Sequence, residues 1–438
     1  MFQHAFTPLQ SQAIAPRIIR GVMIACWLLG WQCSLLNAAE VETTTPLFPQ
    51  PVLSTQAEQT IFPGSQCSPA EQVWGPTIQD FSVASTRTQF PNCPMAAPSW
   101  DATCCNLAED CAGESGCISA SAVRCATWYV DTALVPLRRD PQHRANFARQ
   151  GSTSNSPFVL TSQGFDYPFD AGMAFTLGRR LSDRFAVEGS YLGSYSWRDS
   201  RFVRNSEPNT QASTGNLFSP FTNFGAPAVV GLDFNNFAQV DTSATLESVE
   251  INVRYRGDLP RGPWDVSFLY GVRYLHIGET LRYHTESAVP AALGTQNTEF
   301  VSTGNDMIGA QLGIAGHYLF SQRSWFNVDL KGGLYSNQAK QATVYELIDN
   351  TGTFTAFNTA ARRIDTAFSG DVRLLWNYQF LPRFTVQTGY QATWVASVAT
   401  AVDNFQTDIN SLRFGPGLIR TNDTVAYHGP VLGVIWVR

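Results

Sequence analysis

The residues that could do chemistry in this chain are charged side chains set at alternate positions within extended stretches. Asp131, Glu188, Glu250, Arg254, Asp265, Arg273, Glu279, His317, Asp329, Lys331, Asp371 and Arg373 share one parity against their apolar neighbours. A period of two sends successive side chains to opposite faces. If the apolar face meets lipid, these twelve residues line an interior. Both signs of charge occur. Two outcomes follow: ion pairs that fill a narrow barrel, or a polar pore whose fixed charges give weak ion selectivity.

Catalysis has less support. His276, His284, His317 and His428 lie in the alternating region, and His143 lies in a connection. Tyr427-His428-Gly429 faintly resembles a phospholipase histidine strand, but no G-x-S-x-G nucleophile motif accompanies it. No Walker loop, dinucleotide fingerprint, zinc signature or EF-hand loop is present. Asp199 and Asp403 are isolated acids. The expectation is no enzyme, no cofactor and no metal, with an outer-membrane hydrolase as the weakest alternative.

The elements that position these residues follow from composition and pattern. Of 438 residues, 15% are charged and 12% aromatic, and the net charge is −6 with a pI near 5.6. Soluble proteins average about 25% charged, and the apolar supply excludes wholesale disorder. Mean hydropathy is only −0.11, unlike a helical membrane protein. The acidic balance gives no footprint for nucleic acid. Lys331 and Lys340 are the only lysines.

Arg17 and Arg20 precede an apolar run over 21–36, followed by Asn37, Ala38 and Ala39. This is the pattern of a secretory signal over 1–39. The run is shorter than the roughly 20 residues of a spanning helix. Residues 40–125 are proline-rich and carry Cys67, Cys93, Cys104, Cys105, Cys111, Cys117 and Cys125. In an exported chain such a cluster reads as a disulfide region. The spacings lack paired C-x-x-C, which disfavours zinc. Seven is odd, so one thiol is left free or bonds a partner chain if the others pair.

From residue 126 to 438 the alternation is sustained. Phe185, Val187 and Tyr191 oppose Glu188 and Ser190; Phe326, Val328 and Leu330 oppose Asn327, Asp329 and Lys331. Ten strands are predicted, at 126–138, 169–181, 184–202, 244–257, 264–282, 303–320, 325–340, 363–380, 383–400 and 423–437. Most exceed the five or six residues usual in soluble sheets and satisfy the 9–11 of a tilted spanning strand. Tight turns at 181–184, 257–263, 321–324 and 381–383 alternate with long loops at about 139–168, 203–243, 283–302, 341–362 and 401–422. That alternation predicts an all-β, transmembrane, antiparallel up-and-down barrel of about ten strands, with the short turns periplasmic. A soluble β-sandwich would also alternate, but strand length and loop asymmetry disfavour it. Trp128, Trp197, Trp264, Trp325, Trp376, Trp394 and Trp436 are expected to form aromatic girdles at the two interfaces.

The stretch Thr127-Trp-Tyr-Val-Asp-Thr-Ala-Leu-Val-Pro-Leu-Arg-Arg-Asp140 resembles the opening strand of bacterial outer-membrane proteins known as putative beta-barrel porins. Tyr427-His-Gly-Pro-Val-Leu-Gly-Val-Ile-Trp-Val-Arg438 is similar to that group's last strand. Gly433 and Trp436 also match the C-terminal signal read by the barrel assembly machinery, while Arg438 departs from its usual final aromatic. The resemblance implies an outer-membrane barrel, with membrane lipid and the assembly machinery as partners. It implies little about chemistry; the inward charges of a ten-stranded barrel leave passive passage of small polar solutes, or alternatively a side-chain-filled barrel that anchors or cross-links the envelope.

Overall fold

The computed structural model describes residues 128–140, 144–205, 215–257, 264–415 and 417–438. The signal segment, the proline-rich region and all seven cysteines expected to form disulfides lie outside the described residues.

The strands in chain order are β1 (Trp128–Arg139), β2 (Asn146–Gln150), β3 (Phe158–Thr161), β4 (Asp170–Arg180), β5 (Phe185–Arg204), β6 (Leu217–Phe218), β7 (Asn235–Arg256), β8 (Trp264–Ser287), β9 (Gln296–Ser321), β10 (Ser324–Ile348), β11 (Phe354–Leu381), β12 (Phe384–Val398) and β13 (Asp423–Val437). Among the described residues one short α-helix, α1, spans Ile409–Phe414. Ten strands form an antiparallel ring in the order β1-β4-β5-β7-β8-β9-β10-β11-β12-β13. The ring closes where β13 pairs with β1, with Leu432 opposite Leu134. Closure leaves no edge strand in the ring, so every backbone polar group within the lipid layer can be paired.

Strand β8 shows why the sequence takes this form. Trp264, Phe268, Tyr270, Val272 and Tyr274 are exposed outward. Arg273, Leu275, Ile277 and Glu279 are buried inside. From Trp264 to Tyr274 an extended strand covers roughly 33 Å, or about 25 Å along the axis of a strand tilted ~40°. That is the height of an outer-membrane apolar band. The strands continue well past it.

Two long loops expected from sequence are corrected. Strand β9 begins at Gln296 and β8 ends at Ser287, so 283–302 is mostly strand. Strand β10 runs to Ile348 and β11 begins at Phe354, so 341–362 is a hairpin with a tight turn. Above the lipid band the outward face mixes polar and small residues with scattered apolar ones such as Phe300, Val344 and Phe354, and the inward face carries polar residues such as Asn297, Glu299 and Thr343, so the contrast that marks a strand disappears from the sequence.

Two girdle tryptophans are corrected as well. Between Leu192 and Tyr195 the register of β5 against β7 slips by one residue, and Ser194 has φ 74°. One extra residue in one strand reverses the facing of all that follow. Trp197 therefore turns inward, where its ring stacks between Tyr195 at 5.0 Å and Tyr427 at 5.1 Å. Its Nε1–H donates to the Leu137 carbonyl at 2.9 Å. Trp325 is also buried, at 2% exposure. It shares parity with Asn327, Asp329 and Lys331 and faces the interior.

Three connections fold back over the interior at the long-loop end. They join β1 to β4 (carrying β2 and β3), β5 to β7 (carrying β6), and β12 to β13 (carrying α1). The short strands β3, β2 and β6 extend the sheet from β7.

Candidate functional site: the barrel interior

The interior divides into a polar zone near the short turns and an apolar plug toward the long connections. All twelve charged residues singled out in the sequence face inward, and the network they form is specific.

Arg254 grips Glu188 with two nitrogens, Nε to Oε1 at 2.5 Å and Nη2 to Oε2 at 3.2 Å. The Tyr129 hydroxyl donates to the same carboxylate, and Arg254 Nη1 reaches Ser267 Oγ at 3.0 Å. One layer further in, Arg273 Nη1 pairs with Asp371 at 2.6 Å, and its Nε lies 3.4 Å from Glu250. Lys331 meets the other Glu250 oxygen at 2.8 Å. Gln311 and Asn252 donate to that oxygen at 2.9 and 3.0 Å. Charges this buried hold only when paired and further hydrogen-bonded, and these are both.

The remaining residues are arranged differently. Asp265 pairs with Arg256 at 3.1 Å near the short-turn rim. His317 Nδ1 lies 2.6 Å from Asn327 Oδ1. Asp131 accepts from Gln387 and lies 3.6 Å from Arg373. Asp329 stands directly opposite Arg373 in register, yet the guanidinium turns to Asp131. The Asp329 carboxylate has no ion pair or hydrogen bond among the described residues. Glu279 is separate from the others. It pairs with Arg139 far up the barrel, both side chains almost fully buried. A cavity of about 200 Å³ remains between these groups, lined by Asp131, Glu188, Arg254, Asp329, Lys331 and Arg373 among others.

Above this zone aromatic side chains pack across the interior. Phe147, Phe221 and Phe405 come from the three different connections and meet in one cluster. Phe405 lies 5.3 Å from Phe147 and 6.0 Å from Phe221, centroid to centroid. They pack on wall tyrosines: Tyr283 lies 5.6 Å from Phe405 and Tyr345 lies 5.4 Å from Phe221. The Tyr283 hydroxyl donates to the Phe147 carbonyl at 2.8 Å.

The β12–β13 connection is pinned to the wall through its own backbone. Ala401 N–H donates to Glu279 at 2.9 Å, and Gln406 N–H donates to Glu299 at 3.0 Å. Just before this connection, at the end of β12, the Ser397 carbonyl accepts from Asn337 at 3.1 Å. The β5–β7 connection is organised by Asp233, which accepts from Ser219 N–H at 3.0 Å, Thr222 Oγ1 at 2.8 Å and Val229 N–H at 2.9 Å. Burial pushes the Asp233 carboxyl above the usual range despite these donors.

Sequence reasoning missed the neutral partners Tyr129, Asn252, Gln311 and Gln387, although each has inward parity. It also missed Glu299 and Asn305. Glu299 fell in a stretch read as loop, and Asn305 was passed over as a neutral residue. The loop phenylalanines carried no local signal at all.

Outside, Trp264, Trp376 and Trp394 are exposed at 50%, 42% and 45%. Trp128 carries the Arg179 guanidinium over its ring at 5.1 Å, and Trp436 is half-buried near the end of β13. The described histidines bond to polar groups other than serine. His276 meets Asp306 at 2.9 Å, His284 meets Thr298 at 2.9 Å, and His428 meets Tyr390 at 2.5 Å and Asp140 at 3.2 Å. Among the described residues no group of three His, Cys, Asp or Glu side chains could hold a metal ion.

Residues 153–428 match the family described as Putative beta barrel porin-7. The chain belongs to this family. The match runs from the first connection through nearly all of the ring, so it bears on the barrel and not on the cysteine region. Among solved structures, this porin-7 chain is similar to the outer membrane protease OmpT of Escherichia coli at 9% identity and TM-score 0.34. That alignment covers 71% of this chain and 97% of the other. It is also similar to a major outer membrane protein of Thermus thermophilus at 10% identity and TM-score 0.25, covering 72% and 99%. A FadL homologue of Pseudomonas aeruginosa follows at 9% identity and TM-score 0.19, covering 71% and 89%. No curated protein matches the sequence.

Proposed function

We propose that this porin-7 family member is an outer-membrane barrel that is closed at rest and serves the envelope as a side-chain-filled structural element, without catalysis. In bacterial barrels short turns face the periplasm, which puts the polar cavity on the periplasmic side and the plug on the outer side. One observation carries the reading: phenylalanines from three separate connections meet on wall tyrosines across the lumen. Interiors packed this way exclude water and resist small shifts.

The cavity of about 200 Å³ favours a second reading. Small polar solutes would pass when the β12–β13 connection leaves the lumen, and the charged lining would then meet them. The two readings separate in a swelling assay on liposomes containing the refolded full chain, challenged with glycine and arabinose. The closed reading expects no swelling above protein-free liposomes. Swelling by either solute would reject it in favour of passage.

A further inference from the structure

On the outer wall the apolar band gives way to polar residues at a defined place on β8, β9 and β11. Going up from the short turns, the last large apolar outward residue before the first charged or histidine side chain is Tyr274 on β8, Ile308 on β9 and Ile364 on β11, all exposed; Phe300 and Phe354 face outward again only much higher. The next outward residues are His276, Asp306 and Arg362. On the intervening strand β10, the outward residue reaching this cluster is Lys340.

The geometry ties these residues together. Asp306 accepts from Lys340 at 2.7 Å and from the Tyr274 hydroxyl at 2.9 Å, and it meets His276 Nδ1 at 2.9 Å. Lys340 stands directly opposite Arg362 in register. Like charges at directly opposed positions repel. Lys340 has a carboxylate on its other side, whereas the Arg362 guanidinium has no partner among the described residues. On β9, Gly304 lies opposite Lys340, and a Cβ there would meet nothing within 4 Å. The result is two cations beside an open step in the wall, directly above the lipid-facing band.

We propose that Lys340 and Arg362, with His276 at their side, bind the phosphorylated headgroup of an outer-leaflet lipid. This rests on the membrane orientation adopted above, and it does not depend on whether the lumen is closed. A phosphate accepts both a point charge from lysine and a forked contact from arginine. It also relieves the repulsion between them. The acyl chains of such a lipid would lie on Tyr274, Ile308 and Ile364 immediately below.

Lys340 provides the test, because the other lysine, Lys331, is engaged with Glu250 inside the barrel. The full chain, folded in dodecyl maltoside, is treated with an amine-reactive ester, and acylation of Lys340 is read by peptide mapping. Three additions are compared at equal phosphorus: bis-phosphorylated lipid A, phosphatidylcholine and inorganic phosphate. Lipid A is expected to slow Lys340 acylation, and the other two to leave it unchanged. Lipid A binding by native mass spectrometry should weaken about fivefold in Lys340→Gln and in Arg362→Gln. It should be retained in Lys340→Arg. Heat-modifiable gel migration verifies that each variant is folded. Equal protection by phosphatidylcholine, protection by inorganic phosphate alone, or unchanged lipid A binding in both glutamine variants would each overturn the proposal. Conductance or swelling by the same preparation would reject the closed-lumen reading and leave this result intact.

Discussion

Asn305 and Ala399 hold each other by two reciprocal hydrogen bonds. The Asn305 side-chain nitrogen donates to the Ala399 carbonyl at 2.8 Å, and the Ala399 N–H donates to Asn305 Oδ1 at 2.8 Å. A wall side chain thus takes the place of a neighbouring strand for the first residue of the β12–β13 connection. Replacing Asn305 with Leu strands a buried N–H and a buried carbonyl, at about 1–3 kcal/mol each. The expected outcome is faster hydrogen exchange across 399–408 with unchanged exchange in β8 and β9. Exchange in 399–408 equal to wild type would remove this clamp from the account.

Glu188 and Arg254 make a second testable pair. Glu188→Gln leaves the Arg254 charge buried without its counter-ion and should cost about 3–5 kcal/mol. The double replacement Glu188→Met with Arg254→Met removes both charges and should cost much less. Urea unfolding in detergent micelles, followed by tryptophan fluorescence, compares the two. A double variant as unstable as the single one would show that the pair is not coupled.

The bulge at Ser194 predicts a reversal of tolerance along β5. Before it, Val187 faces lipid and Ser190 faces the lumen, so Val187→Arg should cost about 2–4 kcal/mol and impair assembly, while Ser190→Arg is tolerated. Beyond it, Ser196→Arg should be tolerated, and Trp197→Ala should cost about 3–5 kcal/mol as a core truncation. The fraction of each variant that shows heat-modifiable migration tests this. Tolerance of Trp197→Ala together with failure of Ser196→Arg would contradict the inward turn.

This strand also shows what the sequence makes legible. The period of two identified all ten ring strands and the facing of the twelve charged residues, but it read the β10–β11 hairpin as a long loop. Parity alone, however, carries Trp197 to the wrong face, because one extra residue with positive φ is invisible in an alternating pattern. Trp325 is a different case. Its parity with Asp329 already marked it as inward, but tryptophan near a strand end suggests a girdle. The plug was not legible at all. Phe147, Phe221 and Phe405 are far apart in sequence, lie in segments with no periodicity, and meet only because the ring brings their connections together.

The β10–β11 turn gives a pH prediction. Asp349 accepts from the Thr351 hydroxyl at 2.6 Å and from the Thr351 and Thr353 amides, both at 2.8 Å. These donors hold its carboxyl below the usual range, the Thr351 hydroxyl contributing most. A depressed value in the folded state means that the carboxylate's contribution is complete above the ordinary carboxylate range. It is lost as pH falls through the lowered value. Asp349→Asn should therefore loosen 350–353 at pH 7, read as faster amide exchange, and differ little from wild type in strong acid. A variant that differs equally at both pH values would place the effect elsewhere.

The most direct test of the closed lumen is single-channel conductance in planar bilayers. Val398 lies opposite Asp423 in register, so a two-residue turn can replace 399–422 without disturbing the ring. The full chain is expected to give no discrete steps, and the shortened chain, folded by heat-modifiable migration, is expected to give them. Discrete steps from the unaltered full chain would contradict the account.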